Sequence, residues 1–193
     1  MAKILEKMYS ALTLGAVLAL IVLTFYHGDR TDTKDYWAAF TTFLHVLSGI
    51  TWIGLLYYFN LVQIPIMPKV PAELKPAVSK YIAPEALFWF RWSALATVVT
   101  GLIVATLHNY VHEAMTLQAG MTRTIGTGMW LGLIMAFNVW FIIWPNQKKV
   151  LGFVEADADT KAKAARTAML ASRTNFVLSL PMLYCMVTAG LVG

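Results

Sequence analysis

Charge is what this chain lacks most. Only 13% of its 193 residues are charged and only ten are acidic, about half the charged share usual in a soluble domain. A water-covered surface cannot be built from that composition. Cysteine is almost absent too: the single Cys185 excludes a disulfide framework, a C-x-x-C pair and a C-x-x-C-H site for covalent haem. Any haem is therefore held non-covalently. There is no internal repeat, no low-complexity tract and no separate basic domain, so nucleic acid is not an expected partner.

What is present is apolar sequence, 59% of the chain. Five nearly uncharged runs, at about 8–26, 37–67, 86–107, 125–144 and 174–192, approach the roughly 20 residues that cross a bilayer. None shows the alternation of a porin strand. An isolated span in lipid must satisfy its own backbone hydrogen bonds, so all five are predicted to be helices. The expected fold is an all-α, polytopic transmembrane helical bundle of about five spans, with residues 1–193 as a single integral membrane domain. The first run follows Lys3 and Lys7 but has no small-residue cleavage site before "YHGDR", which predicts a retained helix.

Basic residues set the orientation. A five-span arrangement puts most of the 15 lysines and arginines on one side and leaves Arg30, Lys34 and Arg123 opposite. The N-terminus is expected in the cytoplasm and the C-terminus outside, in a multi-pass protein of a bacterial inner membrane. The net charge of +5 then reflects topology and attraction to anionic lipid.

Histidine is scarce, and its positions are informative. His45 lies inside the second run, where a strongly polar group needs a partner, a cavity or a cofactor. At 100° per residue, Trp52 and Gln63 return near its azimuth, and Gly49 leaves room beside it. His27, His108 and His112 fall at the same outer side, where they also serve as ordinary polar helix ends. If the third helix continues, His108 and His112 share a face four residues apart, a spacing that suits one metal centre. Met115, Met121 and Met129 on that side would suit copper. Toward the other end Asn60, Gln63, Asn138, Asn146, Gln147, Thr174 and Asn175 are placed to hydrogen-bond between helices. Gly128 and Gly132 form a G-x-x-x-G packing motif.

The blocks "FLHVLSGITWIGLLYYFN", "ALFWFRWSALATVVTGL", "GTGMWLGLIMAFNVWFIIWPNQKKVLG" and "ASRTNFVLSLPMLYCM" resemble, in that order, the N-terminal membrane domain of the bacterial cytochrome-c-linked urate hydroxylase. The likeness spans most of residues 40–187. It implies a membrane domain tied to urate oxidation, with electrons passed to a cytochrome c. The piece from His45 to Gly54, H-x-x-x-G-x-x-W-x-G, is also similar to haem-associated membrane proteins of the HemJ type and to CopD-like copper proteins. Two positions depart from the family pattern: a His-Asn pair reads Thr174-Asn175, and "PIMPKVPAELKPAVSKYIAPE" replaces a polar, His-bearing stretch. Without C-x-x-C-H the chain is expected to be a short relative lacking the cytochrome c domain.

Three expectations follow. The first is a redox protein in which His45 and either His108 or His112 ligate a b-type haem near the outer face, with Gly49 and Trp52 lining its slot, relaying electrons to a separate carrier. The second is a non-catalytic accessory subunit of a larger membrane complex or a homo-oligomer, with no cofactor. The third is an outer-facing copper site using His45, His108 and His112. No residue pattern marks a catalytic group, and no small substrate is identified.

Overall fold

The computed structural model of the chain describes residues 2–191, all of whose regular elements are helical. After a helical turn at Ala2–Leu5 come α1 (Met8–Arg30), α2 (Lys34–Lys69), α3 (Lys75–Leu107), the short α4 (Val111–Met115), α5 (Met121–Val150) and α6 (Ala158–Thr188). Of these, α1, α2, α3 and α5 are long and apolar enough to cross a membrane. The expected fifth run lies within α6, a continuous 31-residue helix. Charges crowd its first half, Asn175, Ser179 and Pro181 interrupt its apolar half, and it does not reach the apolarity of the other four. Val192, the last residue of that expected run, lies outside the described residues.

The chain divides into two compact units, Met1–Phe40 and Thr41–Gly193. In the first, the helix Met8–His27 has no buried residue. A helix apolar all round yet unburied by protein is suited to lipid. The second unit has a core in which Trp52, Leu56 and Phe59 of α2 meet Phe90 of α3, Met135 and Val139 of α5, and Met182 of α6.

Proline shapes the long helices in one repeated way. Pro65, Pro84 and Pro145 each follow a widened, π-helical turn, at Tyr58–Gln63, Val78–Ile82 and Asn138–Ile143. Proline has no N–H, and its ring crowds the carbonyl four residues back. One extra residue in the preceding turn relieves that crowding. In each case the residue before the proline donates five residues back instead of four: Ile64 to Phe59, Ala83 to Val78, and Trp144 to Val139. The added residue shifts the helical register, so an azimuth counted from His45 no longer applies at Gln63.

α6 begins where Asp157 caps it, accepting from the Thr160 N–H at 2.7 Å and the Thr160 hydroxyl at 3.0 Å. These bonds hold the Asp157 carboxyl below the usual carboxylate range.

Candidate functional site

The second unit carries an open-sided cavity of about 590 Å³, walled by α2, α3, α5 and α6 and reached by Tyr110 from the turn before α4. Glycines make much of this space. Gly54 and Gly132 line it, and a Cβ at either would meet nothing within 4 Å. The G-x-x-x-G motif of α5 therefore has two functions: Gly128 packs against Cys185 and Met186 of α6, whereas Gly132 opens onto the cavity.

His45 lines this cavity together with Gly49 and Trp52, as helical spacing predicts. Its Nδ1 lies 2.8 Å from the backbone oxygen of Thr97 on α3. A carbonyl only accepts, so Nδ1 carries the proton and donates, and Nε2 keeps its lone pair. The Thr97 and Thr100 hydroxyls bond back to their own helix, at Ser93 and Ala96; the Thr100 oxygen also lies 3.4 Å from Nδ1, so the Thr97 carbonyl is the nearer of two acceptors that orient the ring. Gly101 makes the approach sterically feasible: a Cβ there would stand 2.8 Å from His45 Cε1. Trp52 is 1% exposed, and its Nε1–H has no hydrogen-bond partner. The site thus holds a ring nitrogen with a free lone pair and an unused buried donor, within largely apolar walls.

His108 and His112 are not among the residues lining the cavity. Nor do they share a helical face. α3 stops at Leu107, Asn109 adopts φ +57°, and a new helix starts at Val111. Both imidazoles are exposed, and His108 stacks on Tyr110 with ring centroids 6.2 Å apart. Burial pushes the Tyr110 phenol above its usual range. Of the three methionines singled out for copper, Met129 lines the cavity, joined there by Met182 and Met186 of α6. Among the described residues no group of three or more His, Cys, Asp or Glu is placed to hold a metal ion. His27 belongs to the first unit.

α4 is fixed against α5 at one end of the site. The Trp130 indole N–H donates to the Met115 carbonyl at 3.1 Å, and Gly126 lies so close to Ala114 that any Cβ would collide with its backbone. Of the segment between α3 and α5, Tyr110 alone reaches the cavity lining.

Toward the other end, part of the expected amide network is present, while Gln63 Oε1 and Asn60 Oδ1 are buried without a partner among the described residues. Ser172, Asn175 and Ser179 form a buried seam on one face of α6. Asn60 donates to Ser172 Oγ at 2.9 Å; Asn138 donates to Asn175 Oδ1 at 2.8 Å, and Asn175 donates to the Met135 carbonyl at 2.9 Å. Ser179 lies 3.2 Å from the hydroxyl of Tyr57, a cavity-lining residue. Thr174, expected to join this group, is exposed and bonds within its own helix to Leu170. Asn146 likewise bonds to Ile142. Sequence reasoning missed Thr97 and Gly101, for which the only signal was a glycine inside an apolar run, and missed the serines flanking Asn175, which stand at helical spacing.

Residues 112–191 match the family described as urate oxidase N-terminal. That part of the chain is similar to a urate-oxidase-related N-terminal domain. It comprises most of α4 together with α5 and α6, so it supplies Met129, Gly132 and Met182 to the cavity wall, whereas His45, Gly49 and Trp52 precede it. No curated protein and no solved structure matches the chain significantly.

Proposed function

We propose that the chain is a multi-pass protein of a bacterial inner membrane whose helical bundle holds a b-type haem in the His45 cavity and relays electrons to a separate carrier. The observation that carries this reading is the His45 ring, bonded through Nδ1 to the Thr97 carbonyl with Nε2 free at the wall of an apolar cavity. Imidazoles that ligate metals are commonly oriented in this way through their other nitrogen.

The residues present fit such a group in three respects. The cavity volume of about 590 Å³ falls in the range of roughly 300–1,000 Å³ typical of cofactor sites. Gly49 and Gly54 of α2 and Gly132 of α5 leave room along two walls of the cavity. Trp52 offers a buried donor. No lysine or arginine lines the cavity, so the haem carboxylates would extend beyond it. Bound haem supplies one-electron transfer at its iron. The chain itself holds the imidazole proton at Nδ1 against Thr97, keeps Nε2 available, and surrounds it with largely apolar walls.

The five-span orientation, N-terminus inside and C-terminus outside, belongs to this proposal and rests on the lysine and arginine bias. The similarity of residues 112–191 to a urate-oxidase-related domain favours an oxidative setting, with a cytochrome as the class of carrier. One observation favours a second reading: the thioethers of Met129, Met182 and Met186 share the cavity with His45, a donor set suited to Cu(I).

The test is the absorption spectrum of the protein purified in mild detergent from cells well supplied with haem. A Soret band that sharpens on reduction is expected. A colourless sample containing copper would replace haem with the second reading. A colourless, metal-free sample would end both in favour of an accessory subunit.

A further inference from the structure

At the end of the second unit that carries the amide seam, two cations converge on one aromatic ring. The Arg91 Cζ of α3 lies 3.2 Å from the ring centroid of Trp144 on α5 and 5.8 Å from that of Trp140. The Lys148 ammonium lies 5.9 Å from the same Trp144 ring. Arg91 uses its Nε–H on the Leu87 carbonyl at 3.2 Å, and its remaining guanidinium N–H groups have no hydrogen-bond partner in the described residues. Neither cation is paired with a carboxylate there. Glu85, one turn and a half away on α3, is occupied by the Trp89 indole N–H at 3.0 Å. The Trp140 Nε1–H is buried and unpartnered.

Every unused group in this cluster is a donor or a positive charge, and none is an acceptor. Like charges held together at a low-dielectric boundary repel, so the arrangement lacks an anion. We propose that Arg91 and Lys148 bind a phosphate group, supplied by the headgroup of an anionic phospholipid. Arginine and lysine suit phosphate oxygens. The lipid source follows from the surroundings: Phe88, Trp89 and Trp92 of α3 are exposed beside the cluster, and Trp92 meets Trp140 edge to face at 5.5 Å. Tryptophans of this kind gather where a bilayer meets water, and basic pockets between helices take anionic headgroups there. The cavity of His45 plays no part, so the inference stands whether or not haem is bound.

Native mass spectrometry of the full chain in mild detergent, titrated with phosphatidylglycerol or phosphatidylcholine, tests it. One phosphatidylglycerol is expected to bind several-fold more tightly than phosphatidylcholine. Arg91→Gln and Lys148→Gln should each weaken phosphatidylglycerol binding about fivefold, with exposed Lys163→Gln as the unaffected control. If Arg91→Gln does not fold, Arg91→Lys retains the charge and should lose the planar fork's share of the affinity. Equal affinity for the two lipids, or Arg91 and Lys148 variants that bind like wild type, overturns the proposal. Displacement of the lipid by low inorganic phosphate would assign the site to the free anion and overturn the lipid source.

Discussion

His45 and Asn175 both reach across to a backbone carbonyl of a neighbouring helix, yet Asn175 employs both ends of its amide and His45 only one side of its ring. Asn175 accepts from Asn138 and donates to Met135, at 0% exposure. His45 donates to Thr97 and leaves Nε2 free beside a cavity. Polar groups in an apolar bundle are costly unless satisfied. Ser172, Asn175 and Ser179 find partners within the protein, although Asn60 Oδ1 is buried without one among the described residues. Around the cavity, the imidazole Nε2 and the Trp52 N–H have no hydrogen-bond partner among the described residues. Glycine sharpens the contrast: at the cavity Gly54 and Gly132 keep space open, whereas Gly128 and Gly126 are used to bring backbones together.

If the two regions differ in this way, the largest effect should come from His45. His45→Ala is expected to abolish the reduced-minus-oxidised haem signal, whereas His108→Ala and His112→Ala, whose imidazoles lie outside the cavity lining, should leave it in place. Loss of the signal in either of the latter two would bring the 108–112 turn into the site. Gly101→Ala, whose Cβ would press on the imidazole, should misorient the ring and weaken haem binding by about 10- to 100-fold.

Filling the cavity separates binding from folding. Gly132→Leu places its side chain in open space and gains up to about 1 kcal/mol of helix propensity. It should preserve or raise the melting temperature of the cofactor-free protein while excluding haem. Spectrum and melting curve recorded on one sample check both halves; a Gly132→Leu protein that binds haem normally would mean the group sits elsewhere.

The seam should respond in the opposite way. Asn175→Leu leaves the Asn138 amide without its Asn175 acceptor and removes a donor from Met135. Interhelical hydrogen bonds in membranes average about 0.6 kcal/mol, so a total loss of about 1–2 kcal/mol is expected in reversible unfolding. The haem spectrum of the surviving folded protein should be unchanged. A lost spectrum at full stability would show that the seam belongs to the site.

The sequence made these regions unequally legible. Long apolar runs announce helices because a bilayer's thickness leaves few alternatives, and four of the five expected runs coincide with helices apolar enough to span. His45, Gly49 and Trp52 could be grouped because a short, regular stretch of helix preserves azimuth. Gln63 could not, because the π-turn before Pro65 inserts a residue into the count. The Thr97 carbonyl was illegible for a different reason: every residue has a carbonyl, and only tertiary packing selects one. The separation of His108 from His112 did have a signal, since Asn109 is a residue type that tolerates the left-handed conformation it adopts there.

The smallest expected effect lies outside both regions, at the start of the helix that carries the seam. Asp157 accepts from the Thr160 N–H and hydroxyl, and these bonds lower its pKa in the folded protein. A carboxyl whose folded pKa is depressed adds stability above its unfolded value, and that contribution fades as pH falls through the lowered folded value. Asp157→Asn keeps an oxygen that can cap but removes the titration. The variant should therefore melt slightly below wild type near about pH 6, with the gap closing as pH falls toward about 3. Using the difference between the two proteins cancels the other carboxylates, which titrate in both. A gap that stays constant across this range would show that the ionised carboxylate contributes nothing to the start of α6, leaving the seam positioned by its interhelical bonds alone.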